Sequence, residues 1–230
     1  MKYKRVLIKI SGEALSSADT PLCGETIAKT AAQIKEIHDQ GVEIGLVVGG
    51  GNIMRGRSAG NMDRNRADHM GMLATAINSL ALCDALEQIG VPAKVLSAVS
   101  MHRFCDEFTA RGANEAIGQG TVVIFACGSG SPFFSTDTAA ALRAAEIHAD
   151  VLLLAKNVDG VYSADPKLDP SAVKYDHLTY DKVIEDNLKA TDLTAITLCR
   201  EQGILIHVFA LDELIHVFED ANFGTIVSES

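Results

Sequence analysis

No stretch of this sequence reaches the roughly 18 consecutive apolar residues that a membrane-spanning helix needs. No apolar run follows Lys2, Lys4 and Arg5 far enough to form a signal peptide. An excess of positive charge is also lacking. Lys and Arg total 20 against 30 Asp and Glu, giving a formal net charge of −10 and a pI near 5.1. That balance argues against nucleic acid as the main partner, because general nucleic-acid binders carry the opposite sign. The five cysteines are Cys23, Cys83, Cys105, Cys127 and Cys199, odd in number, widely spaced and without a Cys-x-x-Cys pair. A disulfide framework and a zinc site are therefore disfavoured. Pro- or Ser-rich linkers, internal repeats and low-complexity tracts are missing too. These absences predict a reduced, cytoplasmic, soluble protein with no membrane partner, whose residues 1–230 form a single domain.

What is present is an alternation of strand and helix patterns. Hydrophobic residues make up 47% and charged residues 22%, so a packed core is expected. Strands are predicted at Arg5–Ile10, Val42–Val48, Ala93–Ala98, Thr121–Ala126, Val151–Ala155, Ile204–Phe209 and Thr225–Val227. Helices are predicted at Glu25–Gln40, Ala67–Ile89, near Asp106–Ile117, and at Thr138–His148, Asp192–Gln202 and Leu211–Asp220. In the long second helix Met70, Leu73, Ile77, Leu80 and Ala81 are expected to face inward. Such alternation implies an α/β fold with a mainly parallel sheet and helices on both faces. The stretch Asn157–Tyr180 breaks the rhythm. Asp159-Gly160 and Ala164-Asp165-Pro166 flank Val161-Tyr162, which predicts a small hairpin or ordered loop near a strand's C-terminal end.

Three glycine-bearing turns leave the ends of apolar strands. They are Lys9-Ile10-Ser11-Gly12, Gly49-Gly50-Gly51-Asn52 with Arg55 beyond it, and Gly128-Ser129-Gly130-Ser131-Pro132 running into Thr136-Asp137-Thr138. Glycine lets backbone N–H groups approach an anion, and a following helix adds its positive end. Three such turns suggest a cleft that holds several phosphates. Yet the sequence has no Gly-x-x-x-x-Gly-Lys-Ser/Thr loop, no Gly-x-Gly-x-x-Gly after the first strand, no His-Glu-x-x-His and no Gly-x-Ser-x-Gly. Phosphoryl transfer needs positioning and positive charge more than covalent chemistry. Lys9 and Arg55 can supply the charge. Arg57, Arg64 and Arg66 crowd the same stretch, and at least two of the four arginines read better as solvated. Asp137 could orient Lys9 or meet a magnesium ion, and it could equally cap the helix that follows. Lys9 alone could be a strand-end lysine, and Asp165 a turn residue. One phosphate cleft accounts for all of them together.

Several segments resemble the bacterial uridylate kinase family. They are Lys-Ile-Ser-Gly-Glu-Ala-Leu at 9–15, Gly-Gly-Gly-Asn-Ile-Met-Arg-Gly at 49–56 and Ala-Asp-His-Met-Gly-Met-Leu-Ala-Thr at 67–75. Pro-Phe-Phe-Ser-Thr-Asp-Thr-Ala-Ala at 132–140, Ala-Lys-Asn-Val-Asp-Gly-Val-Tyr-Ser-Ala-Asp-Pro at 155–166 and Asp-Leu-Thr-Ala-Ile-Thr-Leu-Cys at 192–199 complete the set. The resemblance covers nearly the whole chain, in order. It implies a three-layer α/β/α sandwich of the amino-acid-kinase type. It also implies transfer of a phosphoryl group from ATP to UMP with Mg2+, in pyrimidine nucleotide biosynthesis. The metal would be carried mainly by the nucleotide.

Carried over by motif, Lys9, Arg55 and Asp137 are the implied catalytic residues. Lys9, Ile10, Ser11, Gly12, Gly51, Arg55, Asn157, Tyr162 and Asp165 would meet ATP. Gly50, Asp68 at the ribose, and Ser129, Gly130, Ser131, Pro132, Phe133, Phe134, Ser135 and Thr136 would meet UMP. The resemblance implies a homohexamer, with the helix Ala67–Ile89 as a contact surface. Two departures stand out. Serines occupy 129, 131 and 135 where the family's third turn reads Gly-Thr-Gly-Asn-Pro-Phe-Phe-Thr-Thr-Asp, so Ser131 replaces an amide. Residues Ser16–Glu25 lack the Gly-Phe-Gly-type loop that many members link to GTP activation, so regulation by GTP is not carried over. A kinase of the same fold acting on a carboxylate or carbamate is the alternative enzyme. The Asp68 motif and the Pro-Phe-Phe-Ser-Thr-Asp-Thr block argue against it. A binding protein that has lost catalysis would be expected to lack Lys9 or Asp137.

Overall fold

A computed structural model describes residues 3–54, 60–219 and 223–229. β1 (Arg5–Ile10) passes through a 3-10 turn (Gly12–Leu15) to α1 (Gly24–His38) and β2 (Glu43–Val48). Then come α2 (Arg64–Gln88), β3 (Ala93–Ser97), β4 (Asp106–Glu107), α3 (Ala110–Gly118) and β5 (Val122–Ala126). The second half holds α4 (Thr136–Glu146), β6 (Val151–Lys156), a hairpin of β7 (Val161–Tyr162) and β8 (Lys174–Tyr175), and β9 (His177–Thr179). It closes with α5 (Tyr180–Glu185), α6 (Leu193–Gln202), β10 (Leu205–Ala210), α7 (His216–Glu219) and β11 (Thr225–Ser228).

Among the described residues nine strands form one sheet in the order β4-β3-β5-β2-β1-β6-β10-β11-β9, while β7 and β8 pair separately. Every pairing in the large sheet is parallel except β10 with β11. The central strands are apolar on both faces, as a parallel sheet covered twice requires. Val6, Ile8, Ile44, Leu46 and Ile124 meet Ile27, Ile34 and Ile37 of α1, Leu82 and Leu86 of α2 and Val217 of α7 in one core. Leu7, Val47, Val123, Phe125 and Leu154 point the other way, into a core with Ile117 of α3, Ala140 and Ala144 of α4, Val183 of α5 and Ile196 of α6. The result is the predicted three-layer α/β/α arrangement. Among the described residues no helix is long and apolar enough to cross a membrane.

Three local expectations are corrected. Met70, Leu73, Ile77 and Leu80 of α2 do not face inward but are exposed. The helix instead buries its small and polar residues Ala74, Thr75, Ala76, Asn78 and Ser79 with Leu82 and Leu86. Small side chains let α2 approach the strand ends closely, and its larger apolar residues are left on the outer side. The segment near Asp106–Ile117 begins as a two-residue strand, and the helix starts only at Ala110, where Thr109 caps it by accepting from the Gly112 amide. The helix expected at Leu211–Asp220 is instead a 3-10 turn at Leu211–Glu213 followed by the short α7, and Asp220 lies outside the described residues. The irregular stretch does carry the expected hairpin, and it adds β9, which the alternation had not marked.

Because β5, β2, β1 and β6 are neighbours and parallel, their C-terminal ends share one edge of the sheet. The three glycine turns therefore converge there. In open α/β sheets this is where ligands sit.

Candidate active site

The first two turns are locked together by close contact. A Cβ on Gly12 would lie 2.7 Å from the Gly49 carbonyl oxygen, so only glycine lets β1 and β2 end this near each other. The Asn78 amide of α2 donates to the Gly49 carbonyl at 2.6 Å and pairs with the Asn52 amide at 2.8 Å. Asn52 in turn donates to the Pro21 carbonyl at 2.6 Å. The third turn is tied to the same helix, since the Cys127 amide donates to the Thr75 hydroxyl at 2.8 Å. Gly50 fits against α2 for the same reason as Gly12: a Cβ there would lie 2.8 Å from the Gly71 carbonyl oxygen.

These turns wall a cleft of about 720 Å³. Lys9, Gly50, Gly51, Asp68, Ser129, Ser131, Phe133, Phe134, Ser135, Thr136 and Asp137 all line it. At its floor Lys9 Nζ lies 2.8 Å from Asp137 Oδ1. Two residues outside the cleft lining hold the same carboxylate: Lys156 Nζ, from the end of β6, lies 3.0 Å from Asp137 Oδ2, and the Thr191 hydroxyl donates to that oxygen at 2.8 Å. Burial disfavours the charged carboxylate, but the two ammonium groups outweigh it and hold Asp137 far below the usual carboxylate range. Asp137 is therefore a fixed anion between two cations. It does not cap α4. That role falls to Ser135, whose side chain accepts from the Thr138 amide at 3.0 Å.

Asp68 sits on the opposite wall, in the first turns of α2. Arg64 Nε lies 2.8 Å from its Oδ2, and the Phe133 amide donates to that oxygen at 2.8 Å. Burial opposes ionisation of Asp68, and the Arg64 hydrogen bond and the Phe133 amide more than offset it, so its carboxyl is held below the usual value. Phe133 has φ 71, a left-handed conformation that a bulky residue rarely adopts. Its amide bond to Asp68 and the Arg64 guanidinium 5.7 Å from its ring centre help to fix that geometry. Strain of this kind costs about 1–3 kcal/mol and collects at ligand-binding sites.

Not every residue singled out from sequence reaches the cleft. Ile10 is buried in the core, so only its backbone is available. Ser11 and Gly12 open the 3-10 turn behind Lys9. Gly130, at φ 80, and Pro132 shape the third turn without lining the cleft. Tyr162 and Asp165 line a separate cavity of about 380 Å³, with Gly160, Pro166, Asn187 and Lys189. Asn157 is exposed just past β6 and lines neither cavity. Arg55 and Arg57 lie outside the described residues. Of the crowded arginines, Arg64 lines the cleft and Arg66 does not.

Sequence reasoning missed Lys156, Thr191 and Asp192, whereas Arg64 was among the arginines it named as candidate sources of positive charge. Asp192 caps α6 by accepting from the Ala195 amide at 2.8 Å, and it also accepts from the hydroxyls of Ser135 and Thr138. Lys156 stands at a strand's C-terminal end, as Lys9 does, and that position was the available signal. Thr191 and Asp192 carried none, because their partner is 54 residues away.

Residues 4–210 match the model of the Amino acid kinase family. The structure is similar to that of UMP kinase from Bacillus anthracis, with a TM-score of 0.95 and 35% identity over 99% of this chain and 97% of that one. It is similar to UMP kinase from Ureaplasma parvum, with a TM-score of 0.93 and 42% identity over 99% and 100%. Uridylate kinase from Archaeoglobus fulgidus matches at a TM-score of 0.74 and 29% identity over 97% and 99%.

Proposed function

The chain belongs to the amino acid kinase family, and we propose that it transfers the γ-phosphoryl group of ATP to UMP, giving ADP and UDP. Two full-length likenesses to UMP kinases support the reading. The observation that carries it is Asp137 at the floor of the cleft, paired with Lys9 beside it and with Lys156 from the end of β6. A phosphate oxygen of UMP forms the new bond to the γ-phosphorus, and the bond from that phosphorus to the β–γ bridging oxygen breaks. UMP arrives as an anion, since a phosphate monoester's second pKa is about 6, so no protein base is needed. Charge on the phosphoryl oxygens is met by the two ammonium groups and by N–H donors of the glycine turns. Asp137 holds the lysines in place and takes no proton.

On the acceptor side, Asp68 takes the ribose hydroxyls, and Gly50 with residues 129–136 encloses the rest of UMP. Arg64 and the Phe133 amide do not exhaust the lone pairs of the Asp68 carboxylate. On the donor side, Lys9, Ser11, Gly12, Gly51 and Arg55 meet the phosphates. Tyr162 and Asp165, with Asn157 nearby, serve the adenine nucleotide. Mg2+ is assigned to the nucleotide and not to a protein cage. The Asp137 oxygens already face two cations. When bound, the metal neutralises charge between phosphates.

The chain is further read as one cytoplasmic domain that assembles into homohexamers and serves pyrimidine nucleotide synthesis. The exposed apolar row Met70, Leu73, Ile77 and Leu80 on α2 supports assembly. Light scattering after size exclusion measures the hexamer directly. A turnover panel of UMP, CMP, dUMP and dTMP with ATP and Mg2+, run beside aspartate, glutamate and acetylglutamate, tests the reaction. UMP should lead by a wide margin. Turnover confined to a carboxylate acceptor would overturn the reading.

A further inference from the structure

Among the described residues the Asp137 carboxylate has three side-chain partners of unequal stiffness. Lys9 and Lys156 reach it at 2.8 and 3.0 Å on four-carbon stems, as point charges with little directional demand. Either can follow the carboxylate if it rotates. Thr191 is different. Its hydroxyl, 2.8 Å from Oδ2, sits on a β-branched side chain with a restricted χ1. The backbone beneath it is anchored as well. The next residue, Asp192, is the N-cap of α6 and is bonded to the Ala195 amide and to the hydroxyls of Ser135 and Thr138. The start of α6 is thereby clamped to the start of α4, the helix that carries Asp137. Oδ1 faces Lys9, and Oδ2 is shared by Lys156 and Thr191.

We propose that Thr191 is a positioning residue for phosphoryl transfer: its hydroxyl fixes the plane of the Asp137 carboxylate, and through it the places of the Lys9 and Lys156 ammonium groups. The inference deepens the kinase reading above and rests on it. Without the hydroxyl, the carboxylate turns toward whichever lysine moves, and both charges drift from where charge develops in the transition state. Displacements of about 1 Å in such a constellation cost up to about 10²-fold in rate. Substrate binding is spread over the two cavities and is touched far less.

The test uses the full chain with ATP, UMP and Mg2+. Thr191→Val removes the hydroxyl and keeps the branch, and Thr191→Ser restores the hydroxyl. The expected result for Thr191→Val is a kcat about tenfold lower, the loss of one hydrogen bond to a charged group. Both KM values should stay within about twofold, and Tm should fall by no more than a few degrees. Thr191→Ser should recover most of the rate. A Thr191→Val enzyme with wild-type kcat overturns the inference. So does a rate loss that Thr191→Ser fails to repair. Wild-type turnover is read in the same assay. Its absence overturns the kinase reading and the inference together, whereas an active wild type with an unimpaired Thr191→Val overturns the role of Thr191 alone.

Discussion

The floor of the cleft and the cavity beside the β7–β8 hairpin are built in opposite ways. The floor draws on β1, β2, β5, β6, α2, α4 and α6, and its bonds run between residues far apart in sequence: Lys9 to Asp137, Asn78 to Gly49, Thr191 to Asp137. The hairpin cavity is held mostly by short-range bonds, and it is tied to the sheet through Thr225 of β11, which accepts from the Val161 amide at 2.8 Å and donates to the Tyr175 carbonyl. Tyr162 donates to Asp159 at 2.6 Å, the Lys167 amide to Asp165 at 3.0 Å and the Ser171 amide to Asp169 at 2.9 Å. A site tied to the whole sheet is rigid, because moving one member disturbs several elements. A loop held largely by its own bonds, with its tie to the sheet at Thr225, can adjust with less disturbance of the core. The first suits chemistry, which demands fixed charges. The second suits nucleotide capture, which tolerates adjustment. Changes at the floor should therefore act on kcat, and changes at the hairpin on KM.

The largest effect is expected from Asp137→Asn. Removing the anion leaves two ammonium groups facing each other without their common partner, and kcat should fall about 10³-fold or more. A variant with near-wild-type kcat and a raised ATP KM would break the division between the two regions. The same variant reports on stability. Asp137 has a depressed folded pKa, so its contribution is complete above the ordinary value of 3.8 and is lost as pH falls through the folded value. The difference in Tm between wild type and variant should therefore stay constant from about pH 8 to pH 5 and narrow only in stronger acid. Narrowing already at neutral pH would show that Asp137 is not held ionised.

Asp68→Asn should come next. An amide keeps the shape but offers one acceptor oxygen, and it gives up the charge-assisted bond to Arg64. UMP KM should rise about tenfold, equivalent to about 1.4 kcal/mol, with ATP KM nearly unchanged in kinetics that vary each nucleotide in turn. A fall in Tm with both KM values held would make Asp68 a helix-end charge and nothing more. Asp165→Ala at the hairpin should be milder. ATP KM should rise about fivefold while kcat is kept, and a collapse of kcat would show that the hairpin belongs to the rigid floor. The smallest expected effect is that of GTP. With Ser16–Glu25 lacking the Gly-Phe-Gly-type loop, adding GTP at fixed ATP and UMP should leave the rate within about twofold, because a ligand without differential contacts shifts no equilibrium. A several-fold rise would show that another segment provides those contacts.

The same contrast explains what could be read from sequence. β1, β2, β5 and β6 were legible because a doubly covered parallel strand is an unbroken apolar run. The glycine turns were legible because close backbone approach leaves a compositional mark, as at Gly12 and Gly50. The inward face of α2 is not legible from side-chain size. There Asn78 and Ser79 are buried for the bonds they make to the Gly49 and Thr75 carbonyls, and Leu73 is left outside. Lys156 and Thr191 were missed because their meaning lies in Asp137, on another element. The short β9 and α5 were hidden by a stretch whose turn residues dominate its pattern.

The central claim is that the Lys9–Asp137–Lys156 constellation stabilises the moving phosphoryl group. It is tested most directly by rapid-quench measurement of UDP formation by Lys9→Ala at saturating ATP and UMP. The account predicts a chemical step at least about 10²-fold slower, the size of one lost electrostatic stabiliser, with little change in UMP KM. A Lys9→Ala enzyme that forms UDP at close to the wild-type rate would contradict it.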